Sequence, residues 1–592
     1  MPSPQTRART SLMISTGVAV LITLIFLAAG ICAYESNDDM GMILILSGQQ
    51  GIPASSDAVF MSIPLGALLQ LLYRLNLTIP WYGLVMYAAL IVGCSIGLHV
   101  IIEASTEIRN RIICTLAFLG LYMVIVTRLN FASVSLFLWF SVCARIAQTS
   151  LSRQTVGAVN WLYGCMLGFS YLIRPDIIQT VTPMFSLPVL AALYLSPSKK
   201  RLIAVLLPLV FIVFVAVVWA QTVRNTPEYS AYKEFNNIRS MFNDTSQSDW
   251  DWNSRSQQAL ATTGWNISDY YLAKEFLWFH DSTLFSAHKL ETFMQYKDSS
   301  ITSIFDFQTR LEDLRQYVFN LIIVILSLTA LLIGRHDPPS FVRSGRRLVS
   351  CALIITLINL LLLSMIRFPP RVALPVFACL VLSALVFRPF LGGVLEIRSG
   401  RLSWTIWSIL CAAVLVTTVS LYRSGVQLLT NDRVIKTFAD QSIRAVQRVA
   451  GDDTIFMLMQ GSFGHESLNP LKEYRDMVPL RIFPGGWMIG SPGYNAFLRA
   501  NGLIDREHVV PKMVNNPKIV LAFWETQPQS VYKICNLLQQ HLQLHYGAQF
   551  PGATLVLDTV LDKRIPLKTG PYGWVFYAIK TVPHSSGSGA AP

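Results

Sequence analysis

The chain has 592 residues, of which 53% are hydrophobic and 14% charged. A soluble domain of this length would carry roughly a quarter charged residues, so an ordinary soluble enzyme is excluded. The net charge of +13 does not point to nucleic acid, because many of the lysines and arginines sit in short loops between apolar blocks.

Those blocks run to about twenty residues, enough for a helix to cross the ~30 Å hydrocarbon core. Backbone groups find no water there and period-two alternation is absent, so the blocks read as helices, not barrel strands. Eleven spans are expected: residues 11–33, 81–103, 111–127, 130–147, 157–173, 177–196, 202–221, 317–334, 348–366, 371–388 and 404–422. The first is basic and then apolar like a signal peptide. Ala28-Ala29-Gly30 is a weak cleavage site, however, and the block reads as an uncleaved helix. Eight of the nine cysteines fall within or at the ends of spans, and no disulfide framework or zinc spacing is present.

With the N-terminus cytoplasmic, the inner ends collect Arg7, Arg9, Arg109, Arg111, Arg145, Arg153, Lys199, Lys200, Arg201, Arg335, Arg343, Arg346, Arg347, Arg388, Arg398 and Arg401. The outer turns keep Arg128, Arg174, Arg367 and Arg371. Residues 59–75 are apolar but carry Pro64, Gln70 and Arg74, and a span there would invert the later loops. They are expected to form a helix along the outer membrane surface. Three regions then face outward from a multi-pass inner-membrane protein: the loop 34–80, the loop 222–316 and a C-terminal domain, 423–582. The last residues, 583–592, form a low-complexity tail expected to be disordered. The C-terminal domain reads as layered α/β, with helices over 431–449 and 528–543 and strands over 454–459, 518–523, 553–557 and 573–579.

Candidate chemistry begins at Asn37-Asp38-Asp39, just outside the first span. Adjacent carboxylates repel and resist desolvation, which a short helix over Met40–Leu46, capped by Asn37 or Asp38 and ending near Gly48, would offset through its dipole. Such a carboxylate can deprotonate an acceptor hydroxyl, and its neighbour can hold a divalent cation; an ordinary capping pair is the alternative. Arg174, before Pro175-Asp176, and the turn Arg367-Phe368-Pro369-Pro370-Arg371 place cations at headgroup depth. They suit a phosphate or pyrophosphate, or else snorkel and pair with local acids. The loop 222–316 carries Trp250, Trp252, Trp265, Tyr270, Tyr271, Trp278 and Phe279, a composition shared by sugar sites and by membrane interfaces. Lys274, His280 and Asp281 are expected on one helix that could approach an acceptor together with Trp278. The stretch Gly461-Ser462-Phe463-Gly464-His465-Glu466 after a strand reads as an anion loop or a simple turn.

This arrangement resembles the GT-C class of integral-membrane glycosyltransferases. The likeness rests on an acidic motif directly after the first span, a surface helix in the same loop, a large external loop between spans seven and eight, and a soluble domain after the last span. It implies a polyprenyl-phosphate-linked sugar as donor and a cell-envelope polysaccharide or glycolipid as acceptor on the outer face. It implies Asp38 or Asp39 as the general base of an inverting transfer, and Arg174, Arg367 and Arg371 as donor-phosphate ligands. The first loop has no Asp-X-Asp pair and the chain no Trp-Trp-Asp motif, so protein N-glycosylation is disfavoured. Rival readings are a lipid-linked glycan flippase, a polymerase or ligase of another membrane fold, and a scaffold protein.

Overall fold

The computed structural model describes residues 4–49, 51–105, 108–151, 159–185, 199–244, 254–274, 280–296, 370–391, 443–458, 469–471, 481–483, 485–525, 530–560, 565–566 and 573–584, with the single positions 189, 192 and 441. In chain order the first half gives α1 (Pro4–Ala28), β1 (Ala33–Tyr34), α2 (Asn37–Ser47), α3 (Ile63–Leu75), α4 (Trp81–Ala104), α5 (Ile108–Thr127), β2 (Arg128–Leu129), α6 (Phe131–Leu151), α7 (Val159–Ile173), α8 (Pro175–Phe185) and α9 (Lys199–Arg224). The long loop folds as α10 (Pro227–Asp244), α11 (Ser254–Thr263), α12 (Ile267–Lys274) and α13 (Ala287–Gln295), and α14 (Pro370–Leu391) follows.

Among the described residues four helices are long and apolar enough to cross a membrane: α1, α4, α6 and α9. Shorter apolar helices cover Ile63–Leu75, Arg111–Thr127, Val159–Ile173 and Arg371–Ser383. The expected spans 317–334, 348–366 and 404–422 lie outside the described residues. Of the expected span 177–196, α8 covers the start, positions 189 and 192 are helical, and the rest of 186–196 lies outside the described residues. Burial separates two kinds of apolar helix. In the most apolar windows of α4 and α6, 72% and 94% of residues are buried, against 28% and 22% for α1 and α9. Phe211, Phe214 and Val210 on α9 and Met13, Leu21 and Leu24 on α1 are exposed. In water such faces would be aggregation sites; against lipid they are ordinary, as expected of a helical membrane protein.

The two ends of the bundle differ chemically. At one end His99 touches Ser11, Arg145 pairs with Glu103, and Arg201 donates to the Thr149 carbonyl. This gathers the basic N-terminal side of α1 with the α4, α6 and α9 ends that the charge pattern groups together. The other end carries α2 and α3.

The C-terminal chain supplies β3 (Ile455–Leu458), β4 (Arg481–Phe483), α15 (Pro492–Ala500), α16 (Val509–Met513), β5 (Ile519–Glu525), α17 (Ser530–Tyr546), β6 (Ala553–Thr559), β7 (Ile565–Pro566) and β8 (Gly573–Pro583). The strands form a mixed sheet of order β4-β3-β5-β8-β6, parallel at β4-β3-β5 and antiparallel beyond. All four expected strands and the 528–543 helix are present. Of the expected helix 431–449, residues 441 and 443–449 are described, and they are helical. The described parts of the 222–316 loop pack into the outer core. Phe242, Trp265, Tyr270, Leu290 and Phe293 share one apolar core with the C-terminal sheet and with Leu44, Ile45 and Ile52 of the first loop. The ring contacts of Trp265 and Tyr270 are therefore core packing, with neither sugar stacking nor an interfacial belt, while Trp250, Trp252, Trp278 and Phe279 lie outside the described residues.

Candidate functional site

The acidic segment is held by a short ladder. Ala33 and Tyr34 pair in parallel with Arg128 and Leu129, and the Glu35 amide donates to the Leu129 carbonyl at 3.0 Å. That fixes the chain leaving α1 against the turn between α5 and α6. The helix then starts at Asn37, three residues before the expected Met40. Ser36, in extended conformation, is its N-cap residue, so neither Asn37 nor Asp38 caps it. Asn37 is exposed, and the Ser36 hydroxyl points toward Asp39 Oδ2 at 3.4 Å instead of capping the backbone. Gly48 closes α2 in the left-handed conformation, φ 73°, where the sequence places the end.

Both aspartates occupy the first turn of α2, where the helix dipole favours negative charge. Their surroundings differ. Asp39 is fully buried. Its Oδ1 accepts from the Tyr82 hydroxyl at 2.7 Å and the Phe131 amide at 3.1 Å, and its Oδ2 accepts from Asn130 Nδ2 at 3.1 Å. Burial pushes its pKa up to about 8, the Tyr82 and Phe131 hydrogen bonds pull down, and the charges of Asp38 and Glu35 push up. Asp38 is half-buried, its side chain 18% exposed. It accepts from Trp487 Nε1 at 2.9 Å and lies 3.8 Å from the Arg371 guanidinium. Glu35 is a third carboxylate at this place; burial lifts it to about 7 against the pull of Arg371 and Arg128.

The cations come from the helix ends. Arg371, in the first turn of α14, is anchored because its carbonyl accepts from the Ser133 hydroxyl at 2.8 Å. Arg174, between α7 and α8, stacks on Phe60 and Phe131 at 4.7 and 4.5 Å and donates to Asp176 at 2.7 Å. Phe131 links it to the acids, since the same residue's amide binds Asp39. Phe60 also packs on Trp487, with ring centroids 4.6 Å apart. Its place is set by Val59, which adopts φ 64°, a strained conformation for a β-branched residue. Asp57 accepts from the Val59 amide, and Arg224 binds both Asp57 and the Val59 carbonyl. Arg367 lies outside the described residues, as do Trp278 and the stretch Gly461–Glu466.

Of the acceptor candidates, Lys274, His280 and Asp281 are among the described residues. Lys274 ends α12, while His280 and Asp281 follow in turns after a segment outside the described residues, so the three do not share a helix. His280 is buried against Phe483 and bonded to the Tyr494 hydroxyl at 2.8 Å, and burial lowers its pKa to about 3. Asp281 is also buried and accepts from Thr283, Leu284 and the Tyr546 hydroxyl. Both carry the fold of the outer core and offer no surface to a sugar. A divalent cation at the acidic turn fits poorly, because hydrogen-bond donors engage both oxygens of Asp39 and Asp38 faces a guanidinium.

Glu35, Phe60, Tyr82, Asn130 and Trp487 complete the site and are not singled out by sequence reasoning. Asn130 carried a usable signal, as a polar side chain at the mouth of an apolar helix. Trp487 carried none, since only the tertiary fold brings it across 449 positions to Asp38. Comparison of the chain with family models, curated proteins and solved structures found no match.

Proposed function

We propose that the protein is a membrane glycosyltransferase of the GT-C type, moving a sugar from a polyprenyl-phosphate donor to a cell-envelope polysaccharide or glycolipid. The observation that carries this reading is the asymmetry of the acid pair beside Arg371. Asp38 keeps an open oxygen edge and is the general base that takes the acceptor hydroxyl proton as that oxygen attacks the anomeric carbon. Asp39, saturated by Tyr82, Asn130 and Phe131, positions the helix turn and does not take the proton. Arg371 and Arg174 hold the donor phosphate and stabilise the charge that grows on it as the glycosidic bond breaks. The site sits at the end of the bundle away from the Arg145–Glu103 pair, which supports an extracytoplasmic reaction under the positive-inside rule.

The test is native mass spectrometry of the protein in mild detergent, comparing wild type with Arg371→Ala and Arg174→Ala. A co-purifying polyprenyl phosphate lost in the variants supports the reading, and its sugar names the donor. Ordinary phospholipid alone, unchanged by the substitutions, would remove the donor site. A lipid-linked glycan carrier is the second reading, favoured by the partly buried His99–Glu103–Arg145 group at the inner end of the bundle. Glycolipid movement in proteoliposomes that depends on Arg145 and not on Asp38 would select it.

A further inference from the structure

Where α12 packs on α17, three side chains with metal-binding atoms converge on one point. Asp269 and His541 are fully buried, and the His545 side chain is 16% exposed. His541 Nδ1 lies 2.6 Å from Asp269 Oδ1, and His545 Nε2 lies 3.0 Å from Asp269 Oδ2. All three ligand atoms fall within 4.8 Å of one another. His541 and His545 stand four residues apart on one helix, so their rings share a face, and Asp269 meets them from the loop helix. The carboxylate is fixed in turn, because the Asn266 amide donates to Asp269 Oδ2 at 2.8 Å and Asn266 Oδ1 accepts from the Asp269 amide at 2.9 Å. Such an orienting bond is what a ligating carboxylate needs.

Charge and size agree. Arg506 lies close enough to Asp281 to offset that neighbouring acid. Among the described residues Asp269 has imidazoles as its ion-pair partners and no lysine or arginine. A buried carboxylate between two imidazoles lacks a permanent positive charge, which a divalent cation would supply. With bonds of ~2.0–2.1 Å, tetrahedral zinc holds its ligand atoms about 3.3 Å apart, so the His541–Asp269 and His545–Asp269 separations of 2.6 and 3.0 Å would open by about 0.7 and 0.3 Å as the three atoms close round the ion.

We propose that Asp269, His541 and His545 bind one zinc ion, with water as fourth ligand, and that the ion clips the 222–316 loop to the C-terminal domain. The ligands are two nitrogens and an oxygen, a set suited to zinc and poor for calcium or magnesium. The partly exposed His545 provides the entry side. This clip stands apart from the Asp38 site and does not depend on the transferase reading.

The experiment is metal analysis by mass spectrometry of the full-length, untagged protein in detergent, with thermal unfolding before and after chelation and on return of Zn²⁺ alone. About one zinc per chain is expected in the wild type and less than about a tenth of that in His545→Gln and Asp269→Asn. Chelation should lower the unfolding temperature and Zn²⁺ restore it, with no such response in His545→Gln, whose position at the rim spares the core. Should the variants fail to fold, the wild-type metal content and its response to chelation still decide. Folded wild type that carries no stoichiometric zinc and gains no stability from added Zn²⁺ overturns the proposal and leaves a hydrogen-bonded Asp–His pair.

Discussion

At the residue scale, two neighbouring aspartates end up in opposite surroundings, Asp39 sealed and Asp38 half-buried. If Asp38 is the base, Asp38→Asn should lower sugar transfer by about 10²–10⁴-fold while the fold is kept; a transfer assay with the donor named by lipid analysis checks this. Asp39→Asn should act on stability instead, and with a definite pH dependence. Asp39 has a pKa near 8 in the folded chain and an ordinary carboxyl value, 3.8, when unfolded. The folded state therefore binds the proton more tightly, so the stabilising contribution is complete below about pH 4 and disappears as pH rises through about 8. Glu35 adds to the same trend up to about 7. The wild type's advantage over Asp39→Asn in unfolding temperature should shrink from about pH 5 to about pH 8. An advantage that grows with pH would contradict the buried, proton-holding Asp39.

Helices and strands show which parts of the molecule the sequence reveals. The strands at 454–459, 518–523, 553–557 and 573–579 are legible because apolar runs of that length bounded by breakers have few other uses in an outward-facing domain. The helix after the acid pair is legible from Gly48, its left-handed terminator. The three-residue β4 and the five-residue α16 are too short to leave a period, and the role of α2 is invisible for another reason. That helix is apolar on every side: Met40, Met42, Ile43 and Leu46 join the bundle core, and Leu44 and Ile45 join the outer core. A helix wedged between two cores has no polar face for a pattern to detect. Gly41 shows how close the fit is, since a Cβ there would stand 2.7 Å from Trp487 Cζ2. Gly41→Val should displace the indole and break its bond to Asp38, lowering transfer about as much as Trp487→Phe. The double variant should be no worse than either single one, because both remove one interaction.

For the whole molecule, among the described residues, α2 packs on both the bundle core and the outer core that the long loop shares with the C-terminal sheet. The outer core recruits the described parts of the long loop, so Trp265 and Tyr270, whose composition fitted a sugar site or a membrane interface, are structural. Composition could not reveal this, because aromatics buried in a core and aromatics waiting for a sugar have the same sequence. The bundle is more legible, and its lipid-facing helices give a direct check. Phe211 on α9 is 64% exposed. Phe211→Lys should disfavour insertion by about 2.5–3.5 kcal/mol and reduce the membrane-inserted fraction, whereas Phe211→Leu should not. Protease protection in inverted vesicles measures both.

The bond between Trp487 and Asp38 also sets an order of events during synthesis. The acidic turn leaves the ribosome early, and its indole partner follows 449 residues later. At about 5–20 residues per second, the turn waits roughly half a minute to a minute and a half at the membrane without its cover. A message cut short before that codon would thus yield an inserted bundle with a bare carboxylate. The acidic turn is therefore completed only after Trp487 of the 592 residues has been made.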